Sequence, residues 1–170
     1  MTTEAGNRRG SLSIEERLQA LEDEREIREL LIHYAQRLDN RDHKGYAELF
    51  SRDGRWSGKL GDYRGPEAIE KMLVETFGPT PEGFENTNNF HLMSNILIKV
   101  DGDRATAQSR ITYFERSPEN RPVAMLAGRY EDELVREDGR WKFKHREVIG
   151  EIPTAEEIRA LEAEAQEKKS

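Results

Sequence analysis

Four side chains, widely separated along the chain, carry between them the parts of an acid–base site. His91 opens the run HLMSNILIKVDGD. Its imidazole, with an ordinary pKa of about 6.5, persists as a neutral base at pH 7. Asp39 closes a helix-patterned stretch; its carboxylate can accept a hydrogen bond from one ring nitrogen, leave the other free and stabilise the imidazolium that forms. Arg146, in RWKFKHRE, offers a permanently charged planar fork for a carboxylate, an enolate or a leaving group. Tyr34 offers a phenol to a substrate oxygen. Brought together, these groups suit removal of a proton beside a carbonyl, or expulsion of a leaving group.

Each residue also has a plainer reading. His91 could be a core histidine bonded to a backbone carbonyl, and Tyr34 an amphipathic core residue whose hydroxyl reaches water. Asp39 lies in LDNRD, where turn chemistry also needs a carboxylate, and Asp42 competes for that part. Arg146 shares strand parity with Lys142 and Lys144. If Trp141 and Phe143 point into a cavity, simple alternation sends His145 there instead of Arg146. His33 lies off the apolar row and His43 reads as loop or helix-start chemistry. No pair of histidines has ligand spacing with a carboxylate on a shared face, and no glycine-rich loop follows a strand, so neither a metal nor a nucleotide cofactor is expected.

Helices come first among the elements that must position these groups. Ser13-Ile14-Glu15-Glu16 has the form of a capping box. The helix it starts carries two apolar rows. Ile14, Leu18 and Leu21 form one, suited to a partner subunit; Ile27, Leu30, Leu31, Tyr34 and Leu38 form the other, suited to the core. The helix is expected to end near Asn40, with a short second helix over His43–Ser51 and a hairpin over 54–65. Gly65-Pro66-Glu67 starts a third helix that Gly78 stops. Residues 79–89 have loop chemistry, either a lid or a plain surface loop, with Phe84 as an aromatic within it. From residue 90 the period becomes two, placing His91, Met93, Asn95 and Leu97 on one face and Leu92, Ile96, Ile98 and Val100 on the other. Turns at 101–103 and 137–139 join three long strands into an antiparallel meander. Pro153 ends the last strand, and Thr154 caps a final helix. The expected architecture is α+β: a cone-shaped barrel of N-terminal helices packed on a strongly curved, mainly antiparallel sheet, with an extra C-terminal helix. Residues 1–12 read as a disordered leader, 13–153 as the domain and 154–170 as a helix or tail.

Composition narrows the function classes. A chain of 170 residues fits one domain, and its net charge of -7 disfavours phosphate backbones, so no nucleic-acid partner is expected. There are no cysteines, which makes a reducing cytoplasm the natural setting. No apolar run approaches the roughly 20 residues of a membrane span.

Five segments together carry a family likeness: REIRELLIHYAQRLDNRD, YAELFSRDGRW, GPEAIEKML, FHLMSNILIKVDGDRATAQS and GRYEDELVREDGRWKFKHR. Through them, residues 14–150 resemble the SnoaL-like branch of the nuclear transport factor 2-like superfamily, which holds both enzymes and plain binding domains. Within it, the likeness is to the dehydratase type: scytalone dehydratase, bile-acid 7α-dehydratase and hexachlorocyclohexane dehydrochlorinase. The resemblance implies that Asp39 pairs with His91, matches Arg146 to an arginine of the dehydrochlorinase, and matches Tyr34 to a tyrosine of the bile-acid enzyme. The arginine of the bile-acid enzyme instead falls where this chain has Gly150, and another of its acidic residues falls near Glu115. The implied function is a cofactor-free lyase acting on a small, mostly apolar, oxygenated molecule of steroid, terpenoid or polyketide kind. An isomerase or polyketide cyclase using the same pair, and a non-catalytic small-molecule-binding domain, are the alternatives. A homo-oligomer is expected, a trimer in preference to a dimer.

Overall fold

Ser13 starts the first helix in the way its sequence predicts. Its Oγ accepts the Glu16 amide N–H at 3.1 Å, and the Glu16 carboxylate accepts the Ser13 N–H at 2.7 Å. The computed structural model describes residues 13–154 and residue 157. The expected leader and nearly all of the expected C-terminal helix lie outside the described residues, although Thr154 and Glu157 make the reciprocal bonds of a capping box.

Helix α1 spans Ile14–Asp39, with Asn40 as its C-cap. Ile27, Leu30, Leu31 and Tyr34 are buried, whereas Ile14, Leu18 and Leu21 are exposed among the described residues. Helix α2 spans His43–Ala47, and Asp42 caps it by accepting the Gly45 N–H at 2.9 Å. Asp42 therefore supplies the turn chemistry, which leaves the Asp39 carboxylate available for other work. This helix is shorter than expected, because Phe50 already belongs to strand β1 (Phe50–Gly58). A tight turn leads into β2 (Gly61–Arg64), then α3 (Pro66–Phe77), with proline in its first turn and Gly78 at its end. The remaining strands are β3 (Asn89–Asp101), β4 (Arg104–Arg116), β5 (Pro122–Glu137) and β6 (Arg140–Ile152).

All six strands form one sheet in the order β2-β1-β6-β5-β4-β3. Every pairing is antiparallel except β1 with β6, which run parallel and set Trp56 beside Arg146. Helices α1 and α3 close the concave face of this curved sheet, and the core lies between them. Leu30, Leu31, Tyr34, Ile69, Met72 and Leu73 meet Phe50, Ile111, Tyr130, Leu134 and Phe143 there. No described helix is long and apolar enough to cross a membrane.

Two bulges correct the simple alternation expected of the strands. In β3 the pairing shifts between Ser94 and Leu97, at Asn95 with φ of 51°. His91 and Met93 face inward before the bulge, and Ile96, Ile98 and Val100 after it; Leu97 is turned outward with Leu92. In β6 the shift falls at Lys144, since Glu133 pairs with His145 and Leu134 with Phe143. Trp141 and Phe143 point inward before this bulge, and Arg146 after it. An extra residue in one strand of a pair inverts the parity of all that follow.

Candidate active site

The last turn of α1 and the second inward position of β3 bring Asp39 and His91 together. Asp39 Oδ1 lies 2.5 Å from His91 Nδ1, and Asp39 Oδ2 accepts the backbone N–H of His91 at 3.0 Å. One carboxylate thus grips both the ring and the main chain of the histidine. A carboxylate at neutral pH only accepts, so Nδ1 is the donor and carries the proton. In the neutral ring the other nitrogen, Nε2, is then the acceptor. Both side chains are mostly covered, at 19% exposure for His91 and 15% for Asp39. Across the β3–β4 pairing, the Tyr113 ring lies 4.8 Å from the imidazole. Burial and a hydrogen bond to Glu115 hold the Tyr113 phenol well above its ordinary range, so it stays protonated.

The pair opens into a cavity of about 380 Å³ between α1, α3 and the concave sheet. Leu38, Met72, Leu73, Ile111, Leu126 and Val148 make most of its wall apolar, and Trp56, Tyr34, Tyr46 and Tyr130 add aromatic surface. Few polar groups among much apolar surface is the usual make-up of a small-molecule site. The Tyr34 hydroxyl accepts the Trp56 indole N–H at 3.1 Å and is also hydrogen-bonded to Tyr46. Burial raises the phenol pKa of Tyr34, against the opposing pull of Arg146, so Tyr34 remains a neutral hydrogen-bond donor. The segment 84–89 forms one side of the cavity mouth. There Phe84 is half-buried under the Arg41 guanidinium, 4.9 Å from its ring centre.

Three of the four residues singled out in the sequence therefore converge on this cavity: Asp39, His91 and Tyr34. Arg146 does not line it, and its expected contact with a substrate anion is corrected by its position. Its guanidinium is 0% exposed and makes two bonds of 2.7 Å to Asp132, through Nε and Nη2. The Tyr34, Tyr130 and Phe143 rings enclose it at 3.9, 4.3 and 4.2 Å. Burial alone would push the guanidinium pKa down, but Asp132 more than offsets this and the net shift is upward. Arg146 is thus a fixed charge behind the aromatic wall. Nor does His145 reach the cavity: it faces the opposite side of the sheet, where its Nε2 lies 2.8 Å from Ser57 Oγ. The sequence reading missed Asp132, which hides among Glu131 and Glu133 in a strand whose alternate residues are solvated. It also missed the structural part taken by the asparagines of the mouth; the run NTNN was their only signal.

Among the described residues, no cluster of histidine and carboxylate side chains has the arrangement of a metal site.

Comparison with known proteins agrees with this architecture. No curated protein matches the chain. An NTF2-like protein with a cystatin-like fold from Novosphingobium aromaticivorans is similar in structure, with a TM-score of 0.70 at 23% identity, covering 91% of this chain and 95% of that one. LinA aligns with a TM-score of 0.66 at 23% identity, covering 79% and 90% of the two chains. A candidate scytalone dehydratase, also from N. aromaticivorans, aligns with a TM-score of 0.62 at 31% identity, covering 78% and 86%. The SnoaL-like domain family matches residues 19–147. With that match spanning most of its length and the α+β fold shared with these structures, the chain belongs to the SnoaL-like family.

Proposed function

We propose that this protein is a lyase of the dehydratase type, working through its own acid–base groups on a small, mostly apolar, oxygenated molecule. The observation that carries the reading is the Asp39–His91 pair, bonded at 2.5 Å and opening into a largely apolar cavity. His91 Nε2 takes the proton from a carbon next to a carbonyl. Asp39 holds the ring and stabilises the imidazolium. Tyr34 donates to the substrate oxygen on which negative charge develops, and a cavity screened from water strengthens that bond. The imidazolium then returns its proton to the departing hydroxyl, which leaves as water, so the site ends as it began. A cavity of about 380 Å³ lies within the size range of small-molecule sites. The 31% identity to a candidate scytalone dehydratase supports elimination over isomerisation. In the cell we place the protein as a cytoplasmic homo-oligomer, a trimer, with the exposed row Ile14, Leu18 and Leu21 against a neighbouring subunit.

The test is exposure of the protein to a panel of cyclic β-hydroxy ketones, with product mass read by mass spectrometry. Loss of water is expected from the native chain. His91→Ala and Asp39→Asn should keep the fold, as seen by circular dichroism, and lose turnover by about 100-fold or more. Turnover without change of mass would favour an isomerase or cyclase working through the same pair. Undiminished turnover in His91→Ala would refute the mechanism.

A further inference from the structure

We infer that Asn86 is a positioning residue that holds Asp39 and His91 in register with one another. The inference rests on the acid–base reading of that pair. Asp39 sits at the end of α1, where the last carbonyls of a helix have no partner within it. His91 sits at the start of β3, and the two elements are joined through the separate segment 40–88. Besides the two bonds from His91 to the Asp39 carboxylate, one carboxamide ties the main chains of the two elements at this corner. Asn86 Nδ2 donates to the Asp39 carbonyl oxygen at 2.8 Å and to the Asn89 carbonyl oxygen at 2.8 Å, and lies 3.1 Å from Asn89 Oδ1. Asn86 Oδ1 accepts the Asn88 and Asn89 amide N–H groups at 3.1 and 3.3 Å. Carbonyl oxygens on one side and N–H groups on the other leave only this orientation of the amide.

The bonds form a closed circuit. The Asp39 main chain is tied to Asn86, Asn86 to the Asn89 main chain, and Asn89 leads through the strand to His91. His91 then returns to Asp39 through two bonds to the carboxylate. Without Asn86, the last turn of α1 and the first residues of β3 keep their shared core and the two bonds to the carboxylate but lose the main-chain tie beside them, and displacements of about 1 Å can cost about 100-fold in rate. The loop has a second tie to the same corner, Thr80 Oγ1 to the Arg41 carbonyl at 2.5 Å, which touches neither member of the pair. It supplies the control.

The experiment uses the full chain labelled with ¹⁵N-histidine, without ligand, at a pH where the imidazole is neutral. Long-range ¹H–¹⁵N spectra report which ring nitrogen of His91 carries the proton, with the signals assigned by their loss in His91→Gln. The native chain is expected to show the Nδ1–H form. Asn86→Ala should move His91 toward a mixture of the two forms. Asn86→Asp, which sets a carboxylate oxygen against two carbonyls, should do the same. Thr80→Val should leave it unchanged. In the elimination assay, the Asn86 variants should lose up to about 100-fold in kcat with little change in KM. Native ring signals in both Asn86 variants, or an Nε2–H form in the native chain, would overturn the inference. Because the spectra need no turnover, failure of the lyase reading would show separately, as undiminished activity in His91→Ala.

Discussion

Removing Asp132 should cost this protein far more than removing Asp132 and Arg146 together. Both side chains are 0% exposed, and the guanidinium spends two of its nitrogens on the carboxylate. Its third, Nη1, is buried with no hydrogen-bond partner among the described residues. Asp132→Ala therefore strands a full positive charge among three aromatic rings, at about 3–5 kcal/mol. A domain of this size has roughly 5–15 kcal/mol in all, so the single variant loses about a fifth of its stability or more. In Asp132→Leu/Arg146→Met neither charge is present, and replacing a buried pair by apolar groups of similar volume is often close to neutral. The ring contacts of the guanidinium, worth roughly 0.5–2 kcal/mol each, are partly recovered by thioether–aromatic contacts. The double variant should therefore stand at least about 2 kcal/mol above Asp132→Ala. Urea unfolding followed by the fluorescence of the two buried tryptophans, Trp56 and Trp141, measures both. The double variant should also keep turnover, because Arg146 does not line the cavity. Two results would refute the reasoning: a double variant no more stable than Asp132→Ala, or one that folds well and is inactive.

Three further outcomes are expected. Gly128→Ala should destabilise the protein by about 1–3 kcal/mol or more in urea, since a Cβ there would meet the Ile149 carbonyl oxygen at 2.2 Å and backbone would have to move. Asp23 is a case for pH: burial raises its pKa, but Arg136, Gln19 and Trp141 bond to it and the net shift is downward. A depressed carboxyl stabilises above its unfolded pKa of about 3.9 and loses that contribution as pH falls through the folded value. Asp23→Asn should thus be less stable than the native chain at pH 7, with the gap closing under strong acid in pH-dependent urea titrations. Leu18→Glu/Leu21→Glu should lower the mass seen by light scattering while leaving the helical circular dichroism in place, if the exposed row of α1 is a subunit contact.

Local chemistry was legible from residue types alone. The Ser13 cap, the end of α1 at Asn40, the proline start of α3 and the turns around Gly102 and Gly139 depend on neighbours a few positions away. The meeting of Asp39 and His91 was legible only through family likeness, because nothing in either local sequence encodes a contact across the fold. The bulges escaped. Asn95 and Lys144 carry no glycine to mark them, and strand alternation read straight through each assigned the wrong face to Leu97 and left Arg146 and His145 undecided. Arg146 shows the deeper limit. Its side chain lies on the inner side of the sheet, but whether an inward arginine meets a ligand or a hidden carboxylate depends on Asp132, one strand away and outwardly like its acidic neighbours.

The parallel seam between β1 and β6 has a consequence for synthesis. Trp56, made early, finds its neighbour Arg146 only near the end of the last strand. Such distant pairing must overcome loop closure before any contact rewards it, and it slows folding. As the nascent chain leaves the ribosome, the β1–β2 hairpin and α3 emerge with an open flank, and the hollow that would hold a ligand cannot form until the final strand slots in between β1 and β5. Chains stalled before Arg140 should accordingly recruit chaperones, bind no small molecule, and be cleared by proteases that the finished protein resists.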